Sequence, residues 1–191
     1  MKFINKHKSP NYNNRKSSLE ISYIIIHYTA MRNNQQAIEY LCDNKNKVSS
    51  HFLINKSGKI YNLVNLKFRA WHAGKSYWKK QKDINSSSIG IEMDNSGHHL
   101  DFENYTLEQI NSLVELLKFL IKKYKIKQEN ILGHSDIAPY RKIDPGEKFP
   151  WNKLFSKNII YLPKALNRIE SNKIDIFLKK KVIKTKKDKI L

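Results

Sequence analysis

The stretch ISYIIIHYTA, residues 21–30, sets the reading of the whole chain. From Ile21 to Tyr28 it is a β-branched and aromatic run, which reads as a buried strand. The run carries a polar residue at its end, His27, followed by Thr29 and Ala30. Strand ends are where α/β folds expose functional groups, so His27 is the first candidate for chemistry.

Working outward, QQAIEYLC (35–42) suits a short helix. FLINKSGKIYNLV, from Phe52 to Val64, reads as two strands around a Lys56-Ser57-Gly58 turn. SIGIEM, from Ser88 to Met93, is a further strand after a Ser-rich loop. Thr106 to Tyr124 is the clearest helix. Thr106 with Gln109 matches a capping box, and Ile110, Leu113, Val114, Leu117, Leu120 and Tyr124 follow helical spacing on one face. ENILGH reads as a short strand running into His134. A loop holding Pro139, Pro145 and Pro150 then leads to WNKLF, a final short helix. Residues 1–19 are rich in Asn, Lys and Ser and read as an irregular lead-in. Strands alternate with helices and include a hairpin, which predicts an α/β fold with a mixed central sheet flanked by helices.

The chain has 191 residues, 40% of them hydrophobic, enough for one domain of ordinary size plus an appendage. Residues 20–155 form the expected domain and 156–191 a basic C-terminal extension. Cys42 is the sole cysteine, which excludes an internal disulfide and a multi-cysteine metal site. Any metal must be held by His and carboxylate. The formal charge of +19 attracts polyanions without choosing among them. Residues 171–191 hold eight lysines against two aspartates. They read either as a solvated end or as a basic arm for an anionic polymer or surface. No stretch approaches the ~20 apolar residues of a membrane span, and the first residues lack the apolar core of a signal peptide. The cytoplasm is therefore expected, or the cell envelope if a signal has been trimmed away. A monomer is expected.

Of the seven histidines, His7, His98 and His99 lie in polar stretches and read as surface. His27 and His134 end strands, and Asp144 stands ten residues beyond His134, before Pro145-Gly146. Two imidazoles and one carboxylate make a three-ligand zinc set with the fourth position left for water. Against this stands the bland reading of three unrelated polar residues at loop edges. Lys142 is two residues from Asp144, in a Pro-bounded segment. In an extended stretch the two would point the same way, placing an ammonium where it could stabilise an oxyanion. It could equally be one surface lysine among many. Glu92 lies between Ile91 and Met93. A carboxylate in an apolar strand is either desolvated and raised toward general-base range, or in water on an edge strand.

Five blocks in order, IIIHYTA (24–30), SSHFLINKSGKIYNLV (49–64), RAWHAGKS (69–76), NSSSIGIEM (85–93) and GHSDIAPYRKIDPGEKFPW (133–151), resemble the type 2 N-acetylmuramoyl-L-alanine amidases. This family is related to the peptidoglycan recognition proteins. The resemblance implies their fold, a catalytic domain at 20–155, one Zn2+ per chain, and cleavage between the muramic acid lactyl group and L-alanine in peptidoglycan or muropeptides. It implies His27, His134 and Asp144 as zinc ligands, Glu92 as general acid/base and Lys142 as stabiliser of the tetrahedral intermediate. It also places His72 on the cleft with Trp71 beneath it, makes His51 a buried supporting residue, and turns Arg69 toward stem-peptide carboxylates. Lys79, Lys80 and Lys82 depart from the family pattern and predict a basic cleft rim. A non-catalytic wall-binding module on the same fold would have lost a ligand or the glutamate, and neither is lost. A nucleic-acid-binding protein would carry a reader motif, and none is found, so no specific nucleic-acid partner is expected.

Overall fold

A computed structural model describes residues 1–161. The lysine-rich segment 171–191 lies outside the described residues. In chain order the elements are β1 (Phe3–Ile4), β2 (Tyr12–Asn14), β3 (Tyr23–Tyr28), α1 (Asn34–Cys42), β4 (Phe52–Ile54), β5 (Ile60–Asn62), β6 (Phe68–Ala70), α2 (Ile84–Ser87), β7 (Ser88–Met93), α3 (Leu107–Tyr124), β8 (Ile131–Gly133), α4 (His134–Ile137) and α5 (Trp151–Ser156). A six-stranded sheet has the order β1-β5-β4-β7-β3-β8, and β2 and β6 form a separate pair. Only the β4–β5 hairpin is antiparallel within the large sheet, so the sheet is mixed, as expected.

The apolar run at residues 23–28 occupies an interior position because its side chains find apolar cover on both faces. Ile24, Ile25 and Ile26 are completely buried. Parallel strands covered on both faces read as continuous hydrophobic runs rather than as alternation. β7 is interior as well, flanked by β3 and β4, so the edge-strand alternative for Glu92 does not hold. Alternation puts Ile25 on the same face as His27. There Ile25 packs with Ala73, Ile84, Leu132 and Ile137, drawing α2 and α4 onto that face. Leu53 packs with Ala37, Ile38 and Leu41 of α1. The opposite face takes α3, whose Phe119 reaches Phe52 through Phe3. The α3 capping box forms as expected: Thr106 accepts from the Gln109 amide, and Gln109 reaches back to Thr106.

Two expectations change. Residues 1–19 contribute β1 and β2, and the segment is docked through polar burial that composition does not announce. Ser9 is buried and donates to the Leu41 carbonyl at 2.5 Å, and Asn11 donates to the carbonyls of Asp43 and Val48 at 2.8 Å each. The loop read as following His134 begins with one helical turn, α4, which ends before Pro139. Met1–Ile160 forms one compact unit. No helix among the described residues is long and apolar enough to cross a membrane.

Candidate metal centre and active cleft

The site sits where β3, β7 and β8 end. The parallel register of β3 and β7 sets His27 beside Glu92. Partners in register share a face, so both point to the α1 and α4 side. Two residues before Glu92, Gly90 leaves room for the His72 ring; a Cβ there would lie 2.5 Å from it. His134 is the first residue of α4, directly after β8, and Asp136 steadies the turn by accepting the Gly133 amide at 2.7 Å. Asp144 is returned to the same point by its carbonyl, which accepts from the Ser135 amide at 2.9 Å.

His27 Nδ1, His134 Nδ1 and Asp144 Oδ2 stand 3.0 Å from one another in all three pairings. All three residues are buried. The hydrogen bonds behind them indicate which atoms carry protons. His134 Nε2 donates to the Ala73 carbonyl at 3.1 Å, which leaves Nδ1 with a lone pair in the neutral ring. The Ser88 hydroxyl donates to the Ile84 carbonyl at 2.5 Å. It therefore accepts from His72 Nε2 at 3.2 Å, and His72 Nδ1 in turn accepts from His27 Nε2 at 3.1 Å. His27 Nδ1 is thereby also left with a lone pair. Two imidazole lone pairs and a carboxylate oxygen then converge with no proton among them. That arrangement is repulsive by itself and fits a divalent cation.

The electrostatics agree. Burial, then the neighbouring His134, lowers the His27 pKa to about 4 despite Asp144, so its ring is neutral near pH 7. Burial pushes Asp144 up, but its close contacts with His134 and His27 outweigh burial and hold the carboxyl well below the usual range. Glu92 goes the other way. Burial and then the Asp144 charge push it well above the ordinary glutamate value, with Lys142 opposing. Its Oε2 is buried without a hydrogen-bond partner among the described residues.

Around these groups lies a cleft of about 350 Å³. Its lining includes His27, Glu92, His134, Lys142 and Asp144, with Trp71 and His72 on the wall. A sequence profile of the N-acetylmuramoyl-L-alanine amidase family, Amidase_2, matches residues 17–147. The chain belongs to this family. It is 39% identical to the N-acetylmuramoyl-L-alanine amidase AmiD of Escherichia coli (strain K12), over 76% of this chain and 56% of AmiD. It is 35% identical to the 1,6-anhydro-N-acetylmuramyl-L-alanine amidase AmpD of Haemophilus influenzae, over 78% of this chain and 89% of AmpD. The chain thus spans little more than half the length of AmiD. The fold superposes with a TM-score of 0.71 on E. coli AmiD in complex with the substrate anhydro-N-acetylmuramic acid-L-Ala-D-gamma-Glu-L-Lys, at 36% identity over 80% of this chain and 64% of that one. It gives the same score against Pseudomonas aeruginosa AmpDh3 in complex with anhydromuramic pentapeptide, at 31% identity over 84% of this chain and 69% of that one.

In this amidase-family chain, not every residue singled out from sequence reaches the cleft. Arg69 does not: its guanidinium binds Asp83 Oδ1 at 3.1 and 3.2 Å and Asn13 at 3.2 Å. Trp71 lines the wall, its indole NH held by Asn13 at 2.8 Å. His51 is fully buried and accepts the Gly90 amide at 3.0 Å. His99, read as surface, borders the cleft. His98 joins Tyr28 to Glu147 at 2.9 and 2.8 Å. Sequence reasoning missed the supports. Asn85 accepts the amides of His72 and Ala73 at 3.1 and 2.8 Å, and Arg141 donates to the Ala73 and Lys75 carbonyls at 2.8 and 2.9 Å. Asn85 lies in the Ser-rich stretch before β7, which reads as a loop in sequence but folds as α2.

Proposed function

We propose that this chain is a zinc hydrolase that cleaves the amide between the N-acetylmuramic acid lactyl group and L-alanine, in peptidoglycan and in muropeptides including 1,6-anhydromuropeptides. The observation that carries the reading is the triangle of three proton-free donor atoms, each 3.0 Å from the others, with a raised-pKa glutamate beside it in sheet register. Two imidazoles and a carboxylate at this spacing suit zinc, with a position left open for substrate or water. The solved relatives were captured with anhydromuramyl peptides, which supports the substrate class.

His27, His134 and Asp144 would hold the ion. Bound there, zinc supplies Lewis acidity and lowers the pKa of a water to about 7. Glu92 Oε2 takes a proton from the attacking water as its oxygen bonds to the lactyl carbonyl carbon. The Lys142 ammonium, on the same wall, faces the negative charge that builds on the carbonyl oxygen. As the carbon–nitrogen bond breaks, Glu92 returns the proton to the L-alanine nitrogen. The products are a sugar with a free lactyl carboxylate and a peptide with a free amino terminus.

The test is mass spectrometry of a muropeptide digest with and without chelator. New L-alanine amino termini that disappear with chelator are expected. New reducing sugar ends, or full activity in metal-free protein, would overturn the assignment.

A further inference from the structure

On the far side of the turn that carries Lys142, a second and larger groove opens. Its volume is about 1080 Å³, against about 350 Å³ for the cleft. Arg141 lines both. Its guanidinium holds the Ala73 carbonyl that also accepts from the metal-site His134, so the groove and the metal centre share one wall. Nothing in the hydrolytic chemistry uses this groove.

Its lining combines aromatic rings and lysines. Tyr140 is 98% exposed and Tyr77 55% exposed, with Trp78 beside them. Lys75 and Lys82 line it and make no ion pair among the described residues. The acidic neighbour, Asp136, is exposed, with its Oδ2 engaged by the Gly133 amide at 2.7 Å. At the groove edge, Trp78 and Gln81 close a two-residue turn by reciprocal backbone hydrogen bonds of 2.9 and 2.7 Å. Its central residues, Lys79 and Lys80, have φ of 43° and 69°. Such turns favour Asn-Gly or Gly, and a lysine in the left-handed region carries a steric cost. Lys79 pairs with Glu129 at 3.4 Å, whereas Lys80 makes no ion pair among the described residues; backbone strain of this kind gathers at functional sites.

We propose that this groove holds the length of glycan strand beyond the repeat bound in the cleft, giving the chain a preference for polymeric peptidoglycan over single soluble muropeptides. Exposed tyrosine rings offer apolar faces to the C–H faces of pyranose rings, and the lysines meet carboxylates of neighbouring stem peptides. Arg141 borders both the cleft and the groove, so a strand leaving the cleft past Arg141 is directed toward the groove. The inference rests on the substrate class given under Proposed function.

The test compares the zinc-loaded full chain with Tyr77→Ala/Tyr140→Ala and Lys80→Glu/Lys82→Glu. Three quantities are read: cosedimentation with purified sacculi, sacculus hydrolysis, and kcat/KM on a soluble anhydromuropeptide. Each pair should lower sacculus binding and hydrolysis about tenfold while the soluble substrate stays within about twofold, the scale of losing interface anchors. Lys80→Gly should raise the melting temperature while still weakening sacculus binding at low salt. The tyrosine pair should leave binding to polyglutamate unchanged. Unchanged sacculus binding in both pairs, equal losses on both substrates, or an effect of the lysine pair alone would overturn the groove. If no substrate is hydrolysed by the parent chain, the amidase reading fails separately, and cosedimentation still decides for or against the groove.

Discussion

The floor of the cleft and its rim are built differently. The floor is sheet: His27 and Glu92 are neighbours because β3 and β7 pair in one parallel register. A slip of one residue between the two strands would put these side chains on opposite faces of the sheet, so their geometry is as secure as the core beneath them. The rim consists of the segment after Ala73 and the turn at residues 138–143, where Tyr140 and Ile143 stand exposed. Chemistry that tolerates little displacement belongs on a rigid layer, whereas the polymer contacts proposed above lie on loops. Removing a floor group should therefore abolish a step, and removing a rim group other than Lys142, the one rim residue given a part in the proposed chemistry, should weaken an affinity.

The largest effect should come from the ligand triangle. His27→Ala, His134→Ala and Asp144→Ala should each lose bound zinc, measured by elemental analysis after dialysis, and lose activity with it. Retained stoichiometric zinc in any one of them would remove that residue from the set.

Glu92→Gln should come next. It keeps the shape and the ligands but cannot carry the proton, so zinc should remain while kcat falls at least about 100-fold. Lys142→Ala should also spare the metal and lower kcat by a comparable factor, about 100-fold. The base must be ionised to work, and burial raises the Glu92 pKa well above its ordinary value of 4.5. Activity of the parent enzyme should therefore fall with acid at a pH clearly higher than 4.5. An acid limb at or below that value would place the base elsewhere.

A third effect concerns stability, and it belongs to the floor alone. Burial lowers the pKa of His27 to about 4 and of His51 to about 3, and lowers His72 well below its ordinary value. The unfolded chain binds protons at these positions below about pH 6.5 while the fold does not, so stability falls as pH drops from about 6.5 toward 4. Glu92 opposes this, because the fold protonates it before the unfolded chain does. Three histidines against one glutamate leave a net slope of up to roughly 3 kcal/mol per pH unit in chelated protein. Urea unfolding at pH 7 and pH 5 checks it. Zinc should flatten the slope at His27 by binding only the folded form, and a flat profile without zinc would mean that these rings are protonated in the fold.

The same division governs what could be read in the sequence. The β3 run, the Thr106–Gln109 cap and the hydrophobic spacing of α3 are local signals, and the structure bears them out. His27, His134, Asp144, Glu92 and Lys142 stood out because each sits at a strand end, inside an apolar strand, or in a Pro-bounded loop; the structure gathers them in one cleft. What escaped was held by partners distant in sequence. β1 and β2 have two and three residues and exist through pairing with β5 and β6. His99 lies in a polar stretch whose composition gives no sign of the cleft it borders.

Arg69 shows the limit most clearly, and its substitution should have the smallest effect. Resemblance pointed it toward stem-peptide carboxylates, but a carboxylate of its own chain, Asp83, is already there at 3.1 Å. Asp83 has other partners: the Ser86 amide and hydroxyl at 3.3 and 2.9 Å, and Lys16 at 3.4 Å. Arg69→Ala would thus leave Asp83 hydrogen-bonded, and the loss should be that of a partly exposed ion pair, about 1 kcal/mol or less. The site of loss is the β2–β6 ribbon, where Arg69 pairs in register with Asn13, and Asn13 also holds the Trp71 indole. Any effect on catalysis should therefore pass through the Trp71 wall and remain below about twofold in kcat/KM on a muropeptide, under 0.5 kcal/mol. A rise in KM of about tenfold without a change in melting temperature would mean that Arg69 leaves Asp83 to bind substrate, since tenfold is the loss of one good charged contact. Asp83→Asn separates the two cases: it should slightly lower stability if Arg69 is structural, and it should tighten substrate binding if Asp83 competes with the substrate for the same guanidinium.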